Sequence, residues 1–75
     1  MAVDEVTLYH TQDCHLCELA MAVLDHVGLA YSAVDIATSS DLMAAYGVRI
    51  PVIRVGEREL GWPFDPNQVQ AWLMS

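Results

Sequence analysis

Runs of apolar and polar residues in the first half of the chain predict a strand, a helix and a second strand. Val6-Thr7-Leu8-Tyr9-His10 is rich in the β-branched and aromatic residues that favour strands. A polar break at residues 11–13 follows, and apolar residues then recur at helical spacing over residues 14–27. Gly28 suits the position that ends a helix. Residues 31–36 predict a second strand, so the three elements should form a parallel βαβ unit.

The second half of the chain predicts a short helix followed by a hairpin. Either serine of Ser39-Ser40 can cap a helix over residues 41–46. Residues 48–55 predict a third strand that Pro51 interrupts near its start. After a turn, residues 59–62 predict a short fourth strand, antiparallel to the third.

The last helix is predicted from its first turn. Asp65 occupies the cap position, Pro66 the first helical position and Gln68 the third, which is the pattern of a capping box. The complete order is therefore β-α-β-α-β-β-α. We expect an α/β fold of the α+β type, with a four-stranded mixed sheet and helices on both of its faces.

Length and composition predict one small domain. The chain has 75 residues, too few for two hydrophobic cores, so residues 1–75 are expected to form a single domain. Hydrophobic residues make up 55% of the sequence, which supplies enough apolar side chains for one core. Two cysteines allow at most one disulfide, so the chain is not a disulfide-stapled secreted scaffold.

The charge excludes nucleic acids as partners. The formal net charge is −7, and the cationic side chains apart from histidine are Arg49, Arg54 and Arg58. Three arginines cannot form the basic stripe that binds phosphates, and their scarcity also disfavours anionic membranes. Residues 1–5 lack the features of a signal peptide, and the longest apolar run, residues 19–24, is too short to span a bilayer. We expect a soluble cytoplasmic protein, and nothing in the sequence demands a dimer, so we expect a monomer.

Both cysteines lie in Cys14-His15-Leu16-Cys17, at the start of the first predicted helix. Two sulfurs at this spacing on one helical turn can close a small disulfide ring and reopen it. The unpaired N–H groups and the positive end of the helix dipole also stabilise a thiolate there. The motif predicts reversible dithiol–disulfide chemistry, because a loop this small would add little stability.

The elements around this motif resemble the thioredoxin fold. A strand leads into the C-x-x-C helix, and Tyr46-Gly47-Val48-Arg49-Ile50-Pro51-Val52-Ile53 later places a proline at the start of a strand. The short chain resembles the glutaredoxin branch, and Cys-His-Leu-Cys with Trp62-Pro63-Phe64-Asp65 is similar to small glutaredoxin-like proteins. This resemblance covers residues 5–74. It implies a thiol–disulfide oxidoreductase that acts on protein or small-thiol disulfides and is recharged by glutathione or a thioredoxin reductase-type system.

The resemblance also implies roles for individual residues. Cys14 resembles the nucleophile, whose thiolate forms a mixed disulfide with the substrate, and Cys17 resembles the resolving cysteine. Pro51 resembles the cis-proline of the family, since an X-Pro bond has only a small preference for trans. The backbone of Ile50, brought beside the thiols, would then pair with an extended substrate chain.

Two residues depart from the glutaredoxin pattern, and we hypothesise that they tune Cys14. His15 stands where proline is common; its protonated imidazole would favour a thiolate, although the positive helix end opposes that protonation. Arg49 stands where threonine is usual, and the fold is expected to bring its charge near Cys14 or an anionic thiol substrate. The alternative for both residues is a solvated side chain without electronic effect.

The region that binds glutathione in typical glutaredoxins is altered. Gln12 replaces a basic residue two positions before the first cysteine, and Gly61-Trp62-Pro63-Phe64-Asp65 has bulky residues where the family has Gly-Gly. Asp65 could meet a ligand amine, but its capping role already explains it. The net charge also disfavours long-range attraction of anionic glutathione. We expect no bound cofactor, and a weak or absent role for glutathione as a co-substrate.

Other functions stay open. The domain could be a non-catalytic binding module whose groove near Ile50, Trp62 and Phe64 holds a partner. An iron–sulfur cluster could be shared between two chains, which the altered glutathione region disfavours. A zinc site at the cysteines is disfavoured, because His26 should lie on the order of 18 Å along the helix from Cys14; no metal is expected.

Overall fold

The computed structural model describes residues 5–74. Its elements are β1 (Val6–His10), α1 (His15–Val27), β2 (Ser32–Asp35), a 3₁₀ turn (Ile36–Thr38), α2 (Ser40–Tyr46), β3 (Val52–Val55), β4 (Arg58–Gly61) and α3 (Pro66–Met74). The sheet order is β2-β1-β3-β4, in which β1 and β2 are parallel and the other neighbours antiparallel. The predicted order of elements and the mixed sheet are confirmed. The expected single domain and the expected lack of a signal peptide also involve residues 1–4 and 75, which lie outside the described residues.

Helix α1 has the limits that its pattern predicts. Cys14 is its N-cap, and Gly28 ends it with φ 79°, in the left-handed region that glycine adopts without a steric penalty. The Gly28 N–H donates to Asp25 O at 3.1 Å, and the next N–H, of Leu29, donates to Leu24 O at 3.0 Å. These bonds satisfy carbonyl groups that the end of the helix would otherwise leave unpaired.

Helices cover both faces of the sheet, as predicted. On one face, α1 and α3 pack over the larger part of the core. The buried residues of this part are Val6, Leu8, Ala20, Leu24, Ile53, Phe64 and Val69. On the other face, α2 packs through Tyr46 against Ile36 and Val52. Alternate residues of β3 therefore enter different parts of the core, as the two-residue period of a strand requires.

Strand β3 is shorter than predicted and begins only at Val52. The expected start at residue 48 was wrong because the chain first turns back on α2. The N–H groups of Arg49 and Ile50 both donate to Tyr46 O, at 2.8 and 3.1 Å. Pro51 has no N–H to offer a neighbouring strand, so the ladder starts immediately after it.

Three smaller differences concern the ends of other elements. Helix α2 begins one residue earlier than predicted, because Ser39 is the N-cap and its Oγ accepts the Leu42 N–H at 3.3 Å. Strand β4 also lies one residue earlier, at Arg58–Gly61, and β2 comprises only Ser32–Asp35. Such shifts are ordinary where hydrogen bonding, and not burial, decides where an element ends.

The predicted capping box of α3 is confirmed. Asp65 Oδ1 accepts the Gln68 N–H at 2.7 Å, and Gln68 Oε1 accepts the Asp65 N–H at 2.9 Å. The two side chains therefore satisfy each other's backbone donors. This role explains Asp65 at this position without a ligand.

Candidate active site

One end of the central strands, which we call the C-x-x-C edge of the sheet, brings together two segments. These are the loop between β1 and α1 and the start of β3. The register pairs Tyr9 with Val52, so Pro51 lies beside the end of β1, from which the chain leads to Cys14. Asp13, directly before the cysteine, has φ 58°, a left-handed conformation that aspartate tolerates better than most residues. The topology thus brings the C-x-x-C motif and the proline to the same edge.

Cys14 is partly exposed and occupies the N-cap of α1. Its backbone is extended, with φ −98° and ψ 103°, and its Sγ accepts the backbone N–H of Cys17 at 3.2 Å. The sulfur thus takes the place of the oxygen in an ordinary N-cap residue. A thiolate at this position would be stabilised by that N–H and by the positive end of the helix dipole.

Cys17 has the opposite environment, with only 1% of its surface exposed. Burial raises the pKa of its thiol to about 11, and the hydrogen bond and charge interaction with Cys14 act in the same direction. A backbone hydrogen bond with Thr11 opposes the shift. At neutral pH the inner sulfur is therefore a protonated thiol. Neither cysteine is in a disulfide.

Ile50 and Pro51 are joined by a cis peptide bond, the form that the resemblance implied for this proline. Pro51 is buried and Ile50 is half-buried. The Ile50 N–H is already bonded to Tyr46 O, and the Pro51 carbonyl oxygen accepts the Trp62 N–H at 3.0 Å. The N–H of Ile50 is therefore used within the chain, and the predicted pairing of this residue with a substrate stays a prediction.

His15 faces solvent at the first turn of α1. Its side chain is 80% exposed, and Nδ1 lies 3.7 Å from Oε2 of Glu18, which is also exposed. A pair of this kind at the surface contributes little to stability. The suggested tuning of Cys14 by His15 stays a prediction.

Arg49 pairs with a carboxylate of β4. Its Nη2 lies 2.8 Å from Glu59 Oε1, and its Cζ lies 5.2 Å from the centroid of the Tyr46 ring at the end of α2. The suggested stabilisation of the Cys14 thiolate or of an anionic thiol substrate by Arg49 stays a prediction.

Tyr46 lies at the centre of a polar group that the sequence pattern did not reveal. Its ring stacks on Tyr9 with centroids 4.3 Å apart, and its hydroxyl donates to Glu59 Oε2 at 2.5 Å. The same hydroxyl accepts from Arg54 Nη1 at 3.4 Å. We call Tyr9, Tyr46, Arg49, Arg54 and Glu59 the Tyr46 cluster. Donation from Tyr46 and from Arg49 lowers the pKa of Glu59 and holds it ionised.

Neither Tyr46 nor Glu59 could be assigned from sequence spacing. Tyr46 fits an apolar core position and Glu59 fits a solvated surface position when each is considered alone. The signal that would have linked them is the hairpin register, which pairs Arg54 with Glu59 on the α2 face of the sheet. A strand at residues 59–62, as predicted, would shift this register by one residue and place Glu59 on the other face.

The segment after β4 is built around aromatic packing. Trp62 and Phe64 form an edge-to-face pair with centroids 5.0 Å apart, and the Trp62–Pro63 peptide bond is cis. Phe64 is only 4% exposed and belongs to the core. The groove suggested for a binding module therefore lacks Phe64 as a contact residue.

Residues 5–74 contain no cluster of three or more His, Cys, Asp or Glu side chains that could hold a metal ion. Over the same residues, no helix combines the length and apolar character needed to cross a membrane.

A family described as Glutaredoxin-like domain (DUF836) matches the chain over residues 5–74. The chain belongs to this glutaredoxin-like family. A similar solved structure is that of Northeast Structural Genomics target protein XcR50 from X. campestris. It is 43% identical in sequence, the match covers 92% of this chain and 95% of that chain, and the TM-score is 0.85.

More distant structures support the fold alone. Protein Ne2328 from Nitrosomonas europaea is 23% identical, with 96% of this chain and 93% of that chain covered and a TM-score of 0.78. The glutaredoxin grx-1 from Archaeoglobus fulgidus is 15% identical, with 99% and 90% covered and a TM-score of 0.68. No curated protein matches the chain. The glutaredoxin-like protein therefore has the thioredoxin/glutaredoxin fold that its motifs predicted.

Proposed function

We propose that this glutaredoxin-like protein is a thiol–disulfide oxidoreductase in which Cys14 and Cys17 cycle between dithiol and disulfide. The observation that carries the proposal is the contrast between two sulfurs on one helical turn. Cys14 is partly exposed at the N-cap, whereas Cys17 is 1% exposed. An exposed sulfur can reach a substrate, and a buried neighbour can react only with what the first sulfur has bound.

In the first step, the Cys14 thiolate attacks one sulfur of a substrate disulfide. A new S–S bond forms between Cys14 and that sulfur, and the other substrate sulfur leaves as a thiolate and takes up a proton. The Cys17 N–H, 3.2 Å from Cys14 Sγ, stabilises the attacking anion before the bond forms. The product is a mixed disulfide between protein and substrate.

In the second step, Cys17 loses its proton and attacks Cys14 Sγ. The Cys14–Cys17 disulfide forms, the second substrate thiol leaves, and two electrons have passed to the substrate. The negative charge of a Cys14 thiolate contributes to the raised pKa of Cys17. Formation of the mixed disulfide removes that charge, so deprotonation of Cys17 becomes easier at the stage that needs it.

We expect protein or small-thiol disulfides as substrates and a weak role for glutathione. Asp65 already caps the N-terminus of α3 through Oδ1, and Gln12 supplies no positive charge near the thiols. The Cys14–Cys17 disulfide would be reduced back to the dithiol by a small thiol or a thioredoxin reductase-type system. We further propose a monomer that works in the cytoplasm without a bound cofactor, since a reducing compartment keeps such a dithiol ready to react.

A disulfide-reduction assay with dithiothreitol as the electron source tests the proposal. The parent protein should accelerate reduction of insulin or of a disulfide-bonded peptide, whereas Cys14→Ser should show only the uncatalysed rate. The matched variant Cys17→Ser keeps the nucleophile but cannot resolve the intermediate. Mixed with the substrate disulfide in the absence of dithiothreitol, it should accumulate a mixed disulfide through Cys14, seen as added mass that a reductant then removes.

Equal rates for the parent and Cys14→Ser would contradict the oxidoreductase and favour a binding module. The cluster alternative has its own signature, because anaerobic reconstitution with iron and sulfide would then give brown protein with visible absorbance that Cys14→Ser lacks.

A further inference from the structure

The Tyr46 cluster connects helix α2 to strand β4. Tyr46 is the last residue of α2 and is only 5% exposed, and its hydroxyl donates to Glu59 of β4. Arg49 adds a second contact to the same carboxylate and lies over the Tyr46 ring. Charge-assisted hydrogen bonds of this kind are stronger and shorter than neutral ones. The cluster therefore fixes the end of α2 relative to β4.

The Ile50–Pro51 segment is held by the same two elements. On one side, Tyr46 O accepts the N–H groups of both Arg49 and Ile50. On the other side, the Trp62 N–H at the end of β4 donates to Pro51 O at 3.0 Å. A shift of α2 relative to β4 would thus move the segment that lies beside the C-x-x-C edge.

We propose that Tyr46, Arg49 and Glu59 are positioning residues that hold the Ile50–Pro51 segment for pairing with the extended chain of a protein or peptide substrate. This inference rests on the proposed function. It assigns the pairing to the Ile50 carbonyl, because the Ile50 N–H is bonded to Tyr46. A small disulfide without an extended chain makes no use of that carbonyl, so the cluster should matter only for peptide and protein substrates.

Kinetics with two substrates separate positioning from general damage. Glu59→Ala removes the acceptor of both Tyr46 and Arg49, and Tyr46→Phe removes only the hydroxyl while keeping the ring on Tyr9. For a disulfide-bonded peptide, each variant should raise KM about five- to tenfold with kcat nearly unchanged, the loss expected for about one hydrogen bond. With cystamine as substrate, both variants should match the parent within about twofold.

Two further variants serve as controls. Glu57→Ala removes the same charge from the neighbouring turn, where the side chain is exposed, and should behave as the parent with both substrates. Glu59→Gln keeps an acceptor oxygen for Tyr46 and Arg49 and should restore part of the peptide KM. If Glu59→Ala does not fold, Tyr46→Phe and Glu59→Gln carry the test, since both keep the size of the side chain.

Amide hydrogen exchange tests the positioning without any catalysis. In Glu59→Ala, the Arg49 and Ile50 N–H groups should exchange about tenfold faster, while the Val69 N–H, which donates to Asp65 O at 3.0 Å, should keep its rate. Equal acceleration of all three amides, or equal loss with peptide and cystamine, would overturn the inference. If the parent reduces neither substrate, the proposed function fails, and the exchange rates alone decide whether the cluster holds the segment.

Discussion

Cys17 is 1% exposed although it lies only three residues after the partly exposed Cys14. Residues three apart lie on the same face of a helix, so the contrast comes from depth: Cys14 is the N-cap at the end of α1, and Cys17 lies one turn further along and belongs to the core. Burial disfavours the charged form of a thiol, and for Cys17 it is the largest cause of the raised pKa. The proton on this sulfur is thus linked to the folded state.

This linkage predicts a loss of stability in alkali for the reduced protein. The pKa of Cys17 is raised from 9.0 to about 11 by folding, so the folded state binds the proton more tightly than the unfolded chain. The resulting contribution is complete below pH 9 and is lost as the pH rises from 9 through 11. It amounts to on the order of 2 kcal/mol. Urea unfolding at pH 8 to 11 with a reductant present measures it.

The matched variant is Cys17→Ala, which should show a shallower decline over the same range. Folding also raises the pKa values of Tyr31 and Tyr46, so part of the decline belongs to these residues and should persist in the variant. Identical slopes for parent and variant would show that the thiol proton is not linked to folding.

At the scale of elements, helix α1 begins with a cysteine as its N-cap. Serine, threonine, aspartate and asparagine are the preferred N-caps, because their oxygen atoms accept backbone N–H groups strongly. In this chain the acceptor is Cys14 Sγ, a weaker acceptor. A sulfur cap should therefore stabilise the start of the helix less than an oxygen cap would, and under the proposed function this loss of stability accompanies a reactive sulfur.

We expect the free energy of unfolding of Cys14→Ser to equal that of the reduced parent or to exceed it by about 0.5 kcal/mol, because oxygen is the better cap. Urea unfolding of both proteins measures the difference. The same variant should be inactive in disulfide reduction. Cys14→Ala, which lacks any acceptor, should be less stable than Cys14→Ser by about 1 kcal/mol. A serine variant less stable than the alanine variant would contradict the capping role.

Elements that rest on local patterns could be predicted, and contacts that rest on register could not. The strand Val6–His10 and the capping box at Asp65 follow from neighbouring residues, so both agree with their predictions. The pairing of Arg49 with Glu59 spans ten positions and a hairpin, and no spacing rule reaches that far. The bond from the Ile50 N–H to Tyr46 O is local, since it spans four positions, but the strand predicted over residues 48–55 leaves no place for it.

At the scale of the molecule, charge is unevenly placed between the two edges of the sheet. The edge that carries the C-x-x-C motif also carries the exposed carboxylates of Asp13 and Glu18. The β3–β4 turn lies at the opposite edge, where Val6 pairs with Val55. Arg54 bonds Gly56 O there, and Arg58 bonds Trp72 O on α3. The exposed Glu57 also lies in that turn, so the carboxylate and the arginines there partly offset each other. With a net charge of −7 and two carboxylates beside the thiols, we expect a negative potential where a substrate approaches them.

This asymmetry predicts opposite salt effects for substrates of opposite charge. Raising ionic strength from about 0.01 M to about 0.1 M shortens the Debye length from about 30 Å to about 10 Å. Reduction of cystamine, which carries two ammonium groups, should therefore slow by about two- to fivefold, while reduction of glutathione disulfide should accelerate. Stopped-flow rates of disulfide formation in the reduced protein measure both without a second enzyme.

A pair of variants locates the charge responsible. Asp13→Asn keeps a residue type that tolerates the left-handed conformation, and together with Glu18→Gln it should reduce the salt dependence for both substrates. Asp25→Asn with Glu57→Gln removes the same charge from exposed positions away from the thiols and should leave the salt dependence nearly unchanged. Because the net charge of the two double variants is equal, a difference between them can only come from where the carboxylates lie. Equal behaviour of the two would mean that the total charge governs approach and the uneven placement does not.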